Sequence, residues 1–436
     1  MPTLAEAQRA LATGSRQEAD NAMNFIVGVT DGGLARKFPA RRFTGRELKL
    51  SDFGGPSTPQ WIGDTPIYQD AAMAAALQAS HDEGRPIAIE GMVWLDPDNE
   101  GQIDLSDSFA RLEGSGRFHD QIKAAPGSTL SPIRTPQTSL GDSVTGSTGY
   151  ALKNLMIDFG WDWTGDRWVD AAQTAADHAN HKGLDLVAPN NNNPDNHDTA
   201  ADIGFPAGFN FQDAMGIVDN VVLCHSPNML LNKAGRSEVN LSRIWGFNCA
   251  GNAINWQAYD TWMSEFSFFA TGGDGIRFDT GAGMGGFVNG KFWFNGLAQD
   301  GPGGRPIHVD AAGIEGLQFM AMRTQDSSLG CLINGRRHRI DIQVDAAAAL
   351  SRDYALTPGP TLTGSQYALE IQGDGMIIDA VIRDRKAVDS GAAANYALRM
   401  RSSAENNQVR LSADPANFSQ GAVYDQGTNN LITHLG

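Results

Sequence analysis

Two stretches of the chain, Glu238–Trp256 and Asp260–Phe278, superimpose without a gap at an offset of 22 residues. Leu241 falls on Met263, Ile244 on Phe266, Phe247 on Phe269, Gly251 on Gly273 and Ile254 on Ile276, so apolar positions and the turn recur together. A repeat of this length signals a solenoid, propeller or array. Each unit reads as a short β-rich run, a Gly/Asn/Asp turn and a second short run, which is the register of a parallel β-helix. No coil of this size buries its own apolar side. Stacking does so, with neighbouring rungs about 4.8 Å apart and stability arising at nearest-neighbour interfaces.

The pattern continues through Phe287–Asp310 and Ile314–Asn334, with later coils starting near Arg339, Met376 and Asn407. The expected fold is all-β, a right-handed parallel β-helix over 48–436 with regular coils from 238 onward. Residues 1–47 form a separate appendage. Thr3 to Glu6 and Ser15 to Glu18 both match the capping-box pattern, so two short helices are expected there, followed by the basic stretch Arg36–Arg46.

Charge narrows the partners. The formal net charge is −17, and residues 1–49 hold eight Lys/Arg against five Asp/Glu, which leaves −20 on the rest. Phosphate backbones need a surplus of cations, so nucleic acid is not an expected partner. No run approaches the 18 or so apolar residues of a membrane span, and the N-terminus lacks the apolar core of a signal peptide. The three cysteines, Cys224, Cys249 and Cys331, are widely spaced and lack a C-x-x-C; neither a disulfide framework nor a zinc site is expected. His178 with His181, and Asp195 with Asn196 and Asp198, match no recognised metal spacing. No metal and no cofactor is expected.

The segment Leu48–Gly54, LKLSDFG, resembles the opening of the pectate-lyase-like superfamily, which includes bacteriophage tailspikes and capsule depolymerases. In that family a strand ending Asp-Phe-Gly leads through a polar loop to an Ala-rich helix that caps the solenoid. Here Asp52-Phe53-Gly54 is followed by the Ala-rich run from Asp70 to Gln78, then Gly84-Arg85-Pro86, the strand Ile87–Ile89, and Phe109–Gly116 entering a Gly-x-Gly turn. The family's short Gly-Asp-Gly loop is replaced by 55–68, and its Pro-x-Gly-x-Tyr strand ending by Glu90–Trp94. The resemblance implies a capping region over 48–126 and carries no catalytic residue with it.

The repeat predicts columns of equivalent side chains. Ile244, Phe266, Phe292 and Phe319 are expected as an inward stack. Arg243, Glu265, Lys291 and Gln318 form an outward ladder of mixed charge. Trp245, Ser267, Trp293 and Met320 point outward, either buried in a homotrimer or stacked on sugar rings. The second strand yields Asn255, Arg277, His308, Leu332, Glu370 and Arg399. Two residues further on it yields Gln257, Asp279, Asp310, Asn334, Gln372 and Arg401, which places Asp279 and Asp310 on adjacent coils. Paired carboxylates at that separation suit a retaining glycosidase, and Asp at strand ends equally caps turns.

The segment 158–213 breaks the repeat and is expected to leave the shaft as a loop excursion. It carries Asp158, Trp161, Asp162, Trp163, Asp166 and Trp168 close together. Aromatic faces suit the C–H surface of a sugar, and carboxylates accept its hydroxyl protons. Asp158, Trp161, Trp163 and Trp168 are therefore candidate carbohydrate-binding residues, and Asp162 and Asp166 join Asp279 and Asp310 as candidate catalytic acids. The same tryptophans could instead anchor the loop to the shaft. The functional expectation is a virion or phage-like-particle spike, made in the host cytoplasm, attached through residues 1–47 and adsorbing to bacterial surface polysaccharide. A depolymerase and a purely structural spike base are the alternatives.

Overall fold

The computed structural model describes residues 47–55, 61–62, 65–105, 110–135, 150–161, 168–187, 216–236, 239–345, 367–383 and 395–435. The appendage 1–46, and with it nearly all of the expected attachment segment, lies outside them. Parallel strands assemble into an 18-stranded and an 11-stranded sheet, and each coil contributes to both. The solenoid therefore has three strand columns, two of them in the larger sheet.

Each column has an apolar spine. The first runs Leu48, Ile87, Leu112, Leu152, Val218, Leu241, Met263, Phe287, Phe319, Ile340, Ile378, Val409 and Ile432, every neighbour a register partner. The third runs Ile103, Ile133, Leu184, Leu231, Ile254, Ile276 and Ile307. Alternation sends one side chain in and the next out, so these spines meet along the axis as one continuous core. Burying each Leu, Ile or Phe contributes about 1.5–3 kcal/mol, and no coil collects that without its neighbours.

Left-handed residues make the corners. Asn154, Asn220, Arg243, Glu265 and Asn289, each at a φ of 53–57°, stand at the turn between the first and second columns. Asp260, Arg337, Asn406 and Asn429, at 54–55°, do the same after the third. Asn and Asp tolerate this region best and hold most of these corners, while Arg243, Glu265 and Arg337 take it at the others.

The first helix, α1 (Asp70–Glu83), ends on Gly84 in the left-handed conformation and packs Met73 and Ala76 onto the core at the first coil. The opening LKLSDFG forms a short strand and a 3-10 turn closed by Gly54. The strand-and-turn segment ending Asp-Phe-Gly and the Ala-rich helix are thus both present at the start of the solenoid.

The overlay predicts the pairing of its own two coils correctly, including Leu241 with Met263, Phe247 with Phe269 and Ile254 with Ile276. One coil further it slips by two. Phe266 pairs with Gly290, and Phe292 pairs with Phe268. The cause is steric. A Cβ on Gly290 would lie 2.0 Å from the Phe266 ring, so the ring fills the space that a side chain at that position would need. Tyr150 across Gly216, Phe268 across Gly246 and Trp262 across Gly286 repeat the arrangement, each between register partners. Ile244, Phe266, Phe292 and Phe319 are all buried as expected, yet they do not form one column.

The mixed-charge ladder is formed only at its first step, where Arg243 and Glu265 stand at equivalent corners of consecutive coils. Arg243 and Glu265 are corner residues, Lys291 stands beside Ser267 and Arg323, and Arg243 pairs with Asp219 one coil back. Nor is 158–213 one uninterrupted departure. Leu184–Val187 is a rung of the third column, and the second helix, α2 (Ala171–Asp177), lies between it and the strand Met156–Asp158.

Candidate functional site

The outward side of the second column gathers most of the chemistry. Its register partners run Trp94, Lys123, Asp158, Cys224, Phe247, Phe269 and Trp293. Phe247 and Phe269 stack at 5.3 Å and 19°, and Phe269 meets Trp293 at 5.0 Å. The alternate outward row places Trp245, Ser267, Lys291 and Arg323 beside them. Lys291 Nζ sits 3.9 Å from the Trp293 ring centre.

At one margin Trp245 is 40% exposed, with the Arg117 guanidinium 4.3 Å from its ring and Phe118 edge-on at 6.1 Å. An open cleft of about 380 Å³ lies here, lined by Trp245, Arg117, Arg243, Glu265, Asn220 and Asn289. Together these make a half-open aromatic platform rimmed by cations on a strongly acidic protein. Trp245 was legible as outward. Phe247, Phe269, Lys123 and His225 were missed because each looks like an ordinary strand residue until the stack aligns them.

A polar foot closes the other end. The buried Asp158 carboxylate lies 3.1 Å from Lys123 Nζ and 3.3 Å from His225 Nδ1, and accepts the Gly160 N–H at 3.0 Å. Burial pushes the Asp158 carboxyl up, but His225, the Gly160 N–H and Lys123 outweigh it and hold the group below the ordinary carboxylate range. Asp158 is thus a carboxylate held charged in a low-dielectric setting.

Of the tryptophan candidates, Trp161 and Trp168 meet edge-to-face at 5.9 Å. Trp168 is only 4% exposed and packs with Ala171, Ala250, Leu297 and Ala298. Asp300, from a later coil, accepts the N–H groups of Ala172 and Gln173 at 2.9 Å each and ties α2 down. Trp168 accordingly works as the anchor of this segment, leaving Trp161 as the half-buried ring nearer the polar foot. Asp162, Trp163 and Asp166 lie outside the described residues.

Asp279 and Asp310 do follow register partners, Phe278 and Val309, on adjacent rungs of the third column, on the other sheet. Asp279 is engaged by Arg277 Nε at 3.4 Å and by the Gln257 amide at 3.4 Å. The ladder Asn255, Arg277, His308, Leu332, Glu370 and Arg399 is formed in full. The three cysteines are buried and free.

Comparison with solved structures settles the fold. The A-module of the Azotobacter vinelandii mannuronan C-5 epimerase AlgE6 shares 11% identity with a TM-score of 0.50, covering 89% of this chain and 99% of that one. Full-length tailspike protein 2 of an Escherichia coli O157:H7 bacteriophage shares 12% identity with a TM-score of 0.54, covering 88% of this chain and 46% of that one. The chain has the right-handed parallel β-helix fold. It spans nearly all of the epimerase module but less than half of the tailspike. No protein-family model matches the sequence. No curated protein matches it either.

Proposed function

We propose that this β-helix is the shaft of a spike on a phage or phage-like particle, and that it binds a host surface polysaccharide along the outward face of the second column. The observation that carries the reading is the Phe247, Phe269 and Trp293 stack, whose rings recur every 5.0–5.3 Å along the shaft. The partly exposed rings offer apolar surface to the C–H side of sugar rings, and Lys291, Arg117 and Lys123 supply donors at the margins. A tailspike of the same fold supports the particle assignment. Attachment through residues 1–47, a homotrimeric state, synthesis in the host cytoplasm and display on the particle surface complete the proposal.

Cleavage is the second reading. It is favoured by a charged, buried Asp158 with His225 and Lys123 beside the platform, with the Asp279/Asp310 pair as the other acidic candidate. Incubating the purified protein with host capsular polysaccharide, and measuring both retention and chain length, separates these. Retention without shortening supports binding alone, shortening supports a depolymerase, and neither leaves a structural spike base.

A further inference from the structure

We infer that Asp158, Cys224 and His225 form a binding site for a divalent transition-metal cation of the zinc type. One carboxylate oxygen, one thiol sulfur and one imidazole nitrogen lie within 4.8 Å of one another. Zinc bonds of roughly 2.0–2.3 Å in a tetrahedron need ligand atoms on the order of 3.5 Å apart. The His225 to Asp158 contact, at 3.3 Å, is already there.

The stack builds this cluster. Asp158 and Cys224 are register partners, so two ligands come from consecutive rungs of the same outward row. His225 follows at a φ of 54°. A left-handed residue breaks strand alternation, and its ring turns to the Asp158 carboxylate instead of the opposite side. Asp158 and Cys224 are buried, and the Gly160 N–H holds the carboxylate orientation from behind, the kind of outer support that metal ligands need.

The donor set selects the cation. Calcium and magnesium prefer all-oxygen shells, whereas a mixed O, N and S set suits zinc and its first-row neighbours. Three protein ligands leave a fourth position for water or another donor. Lys123 is the built-in competitor, its ammonium 3.1 Å from the same carboxylate oxygen, and its side chain is 28% exposed. Binding forms a metal–sulfur bond and breaks the Cys224 S–H bond, with the proton leaving to solvent. The inference does not rest on the saccharide reading, and either can fail alone.

The test uses the full chain stripped with chelator and titrated with Co²⁺, then Zn²⁺. The expected result is one equivalent bound with a thiolate-to-cobalt charge-transfer band that Zn²⁺ bleaches and Ca²⁺ does not. Cys224→Ser removes the band, while Cys249→Ser and Cys331→Ser keep it. His225→Gln weakens zinc binding by about 100-fold or more, at or above the cost of losing an outer-shell partner. Lys123→Met, which removes the ammonium that pairs with Asp158 and lies over the Trp94 ring, tightens it. A wild-type chain that binds neither ion stoichiometrically, or a band that survives Cys224→Ser, overturns the inference. If Cys224→Ser does not fold, the decision passes to the wild-type band and the Lys123→Met affinity, and a weaker or unchanged affinity counts against the site.

Discussion

The outward rows of the second and third columns follow the same ladder geometry and reach opposite ends. On the third column Arg277 reaches Asp274 and Asp279, the His308 ring meets Asp274 at 2.7 Å, and Glu370 takes Arg399 at 2.9 Å and Arg401 at 2.6 Å. Opposite charges on these rungs engage each other, and the aromatic stack of this column, Tyr367, Tyr396 and Tyr424, lies beside Arg399 in the same network. On the second column, aromatics repeat from rung to rung. Phe269 is contacted by Phe247 on one rung and by Trp293 on the next, and all three rings keep part of their apolar surface open to a ligand. What a solenoid face can do depends on whether its column alternates in sign or repeats in kind.

The sharpest way to break this contrast is Glu370→Ala. Glu370 is 2% exposed among three arginines, and losing one partner of a buried ion network costs about 3 kcal/mol or more. Equilibrium unfolding in urea reads the loss, and a change below about 1 kcal/mol would mean the third face is no more saturated than an exposed one.

Asp120, at the foot of the second column, gives the next effect. Burial pushes its carboxyl up, but the Ser115 hydroxyl and N–H, His119 and the Gly91 N–H outweigh that and hold it at about 2. Because the folded value lies below the ordinary one, its contribution is complete above the unfolded pKa and disappears as pH falls from about 4 towards 2. The shift is worth about 2 kcal/mol. Asp120→Asn should therefore destabilise at neutral pH and flatten the acid limb of a Tm-against-pH curve; an unchanged acid limb removes Asp120 from the account.

A smaller effect tests the platform itself. Phe269→Ala and Trp293→Ala are each expected to reduce polysaccharide retention about tenfold, an effect of about 1.4 kcal/mol, while Asn255→Ala on the third column leaves it unchanged. Equal losses from all three would erase the distinction between the faces. The smallest effect belongs to Arg410→Ala. Arg410 and Asp379 are both largely solvated, and a thermal scan should show a change within about 0.5 kcal/mol.

How far the sequence revealed these faces depends on strand length. In the third column, short three-residue strands such as Ile276–Phe278 and Ile307–Val309 sit between turns, so one apolar anchor fixes the register. The ladder from Asn255 to Arg399 was legible residue by residue. In Trp262–Thr271 and Gly286–Asn295 two columns fuse into ten-residue strands. Glu265 and Asn289, left-handed inside them, shift the alternation, so several apolar residues compete for each inward place. The polar foot was less legible still. Asp158 is visible as an acid near tryptophans, but its partners Lys123 and His225 come from other coils and follow no local spacing. Trp161 and Trp168 stood out by composition, which does not distinguish an anchor from a platform.

The rings lying across glycines have a consequence for how such a shaft can change over generations. Tyr150 with Gly216, Trp262 with Gly286 and Phe266 with Gly290 each divide one packing decision between two successive coils. Copying or deleting a single coil at these seams would set ring against ring or leave a glycine with nothing above it. The shaft is inherited as overlapping pairs, and its length can be edited cleanly only where no such pair is cut.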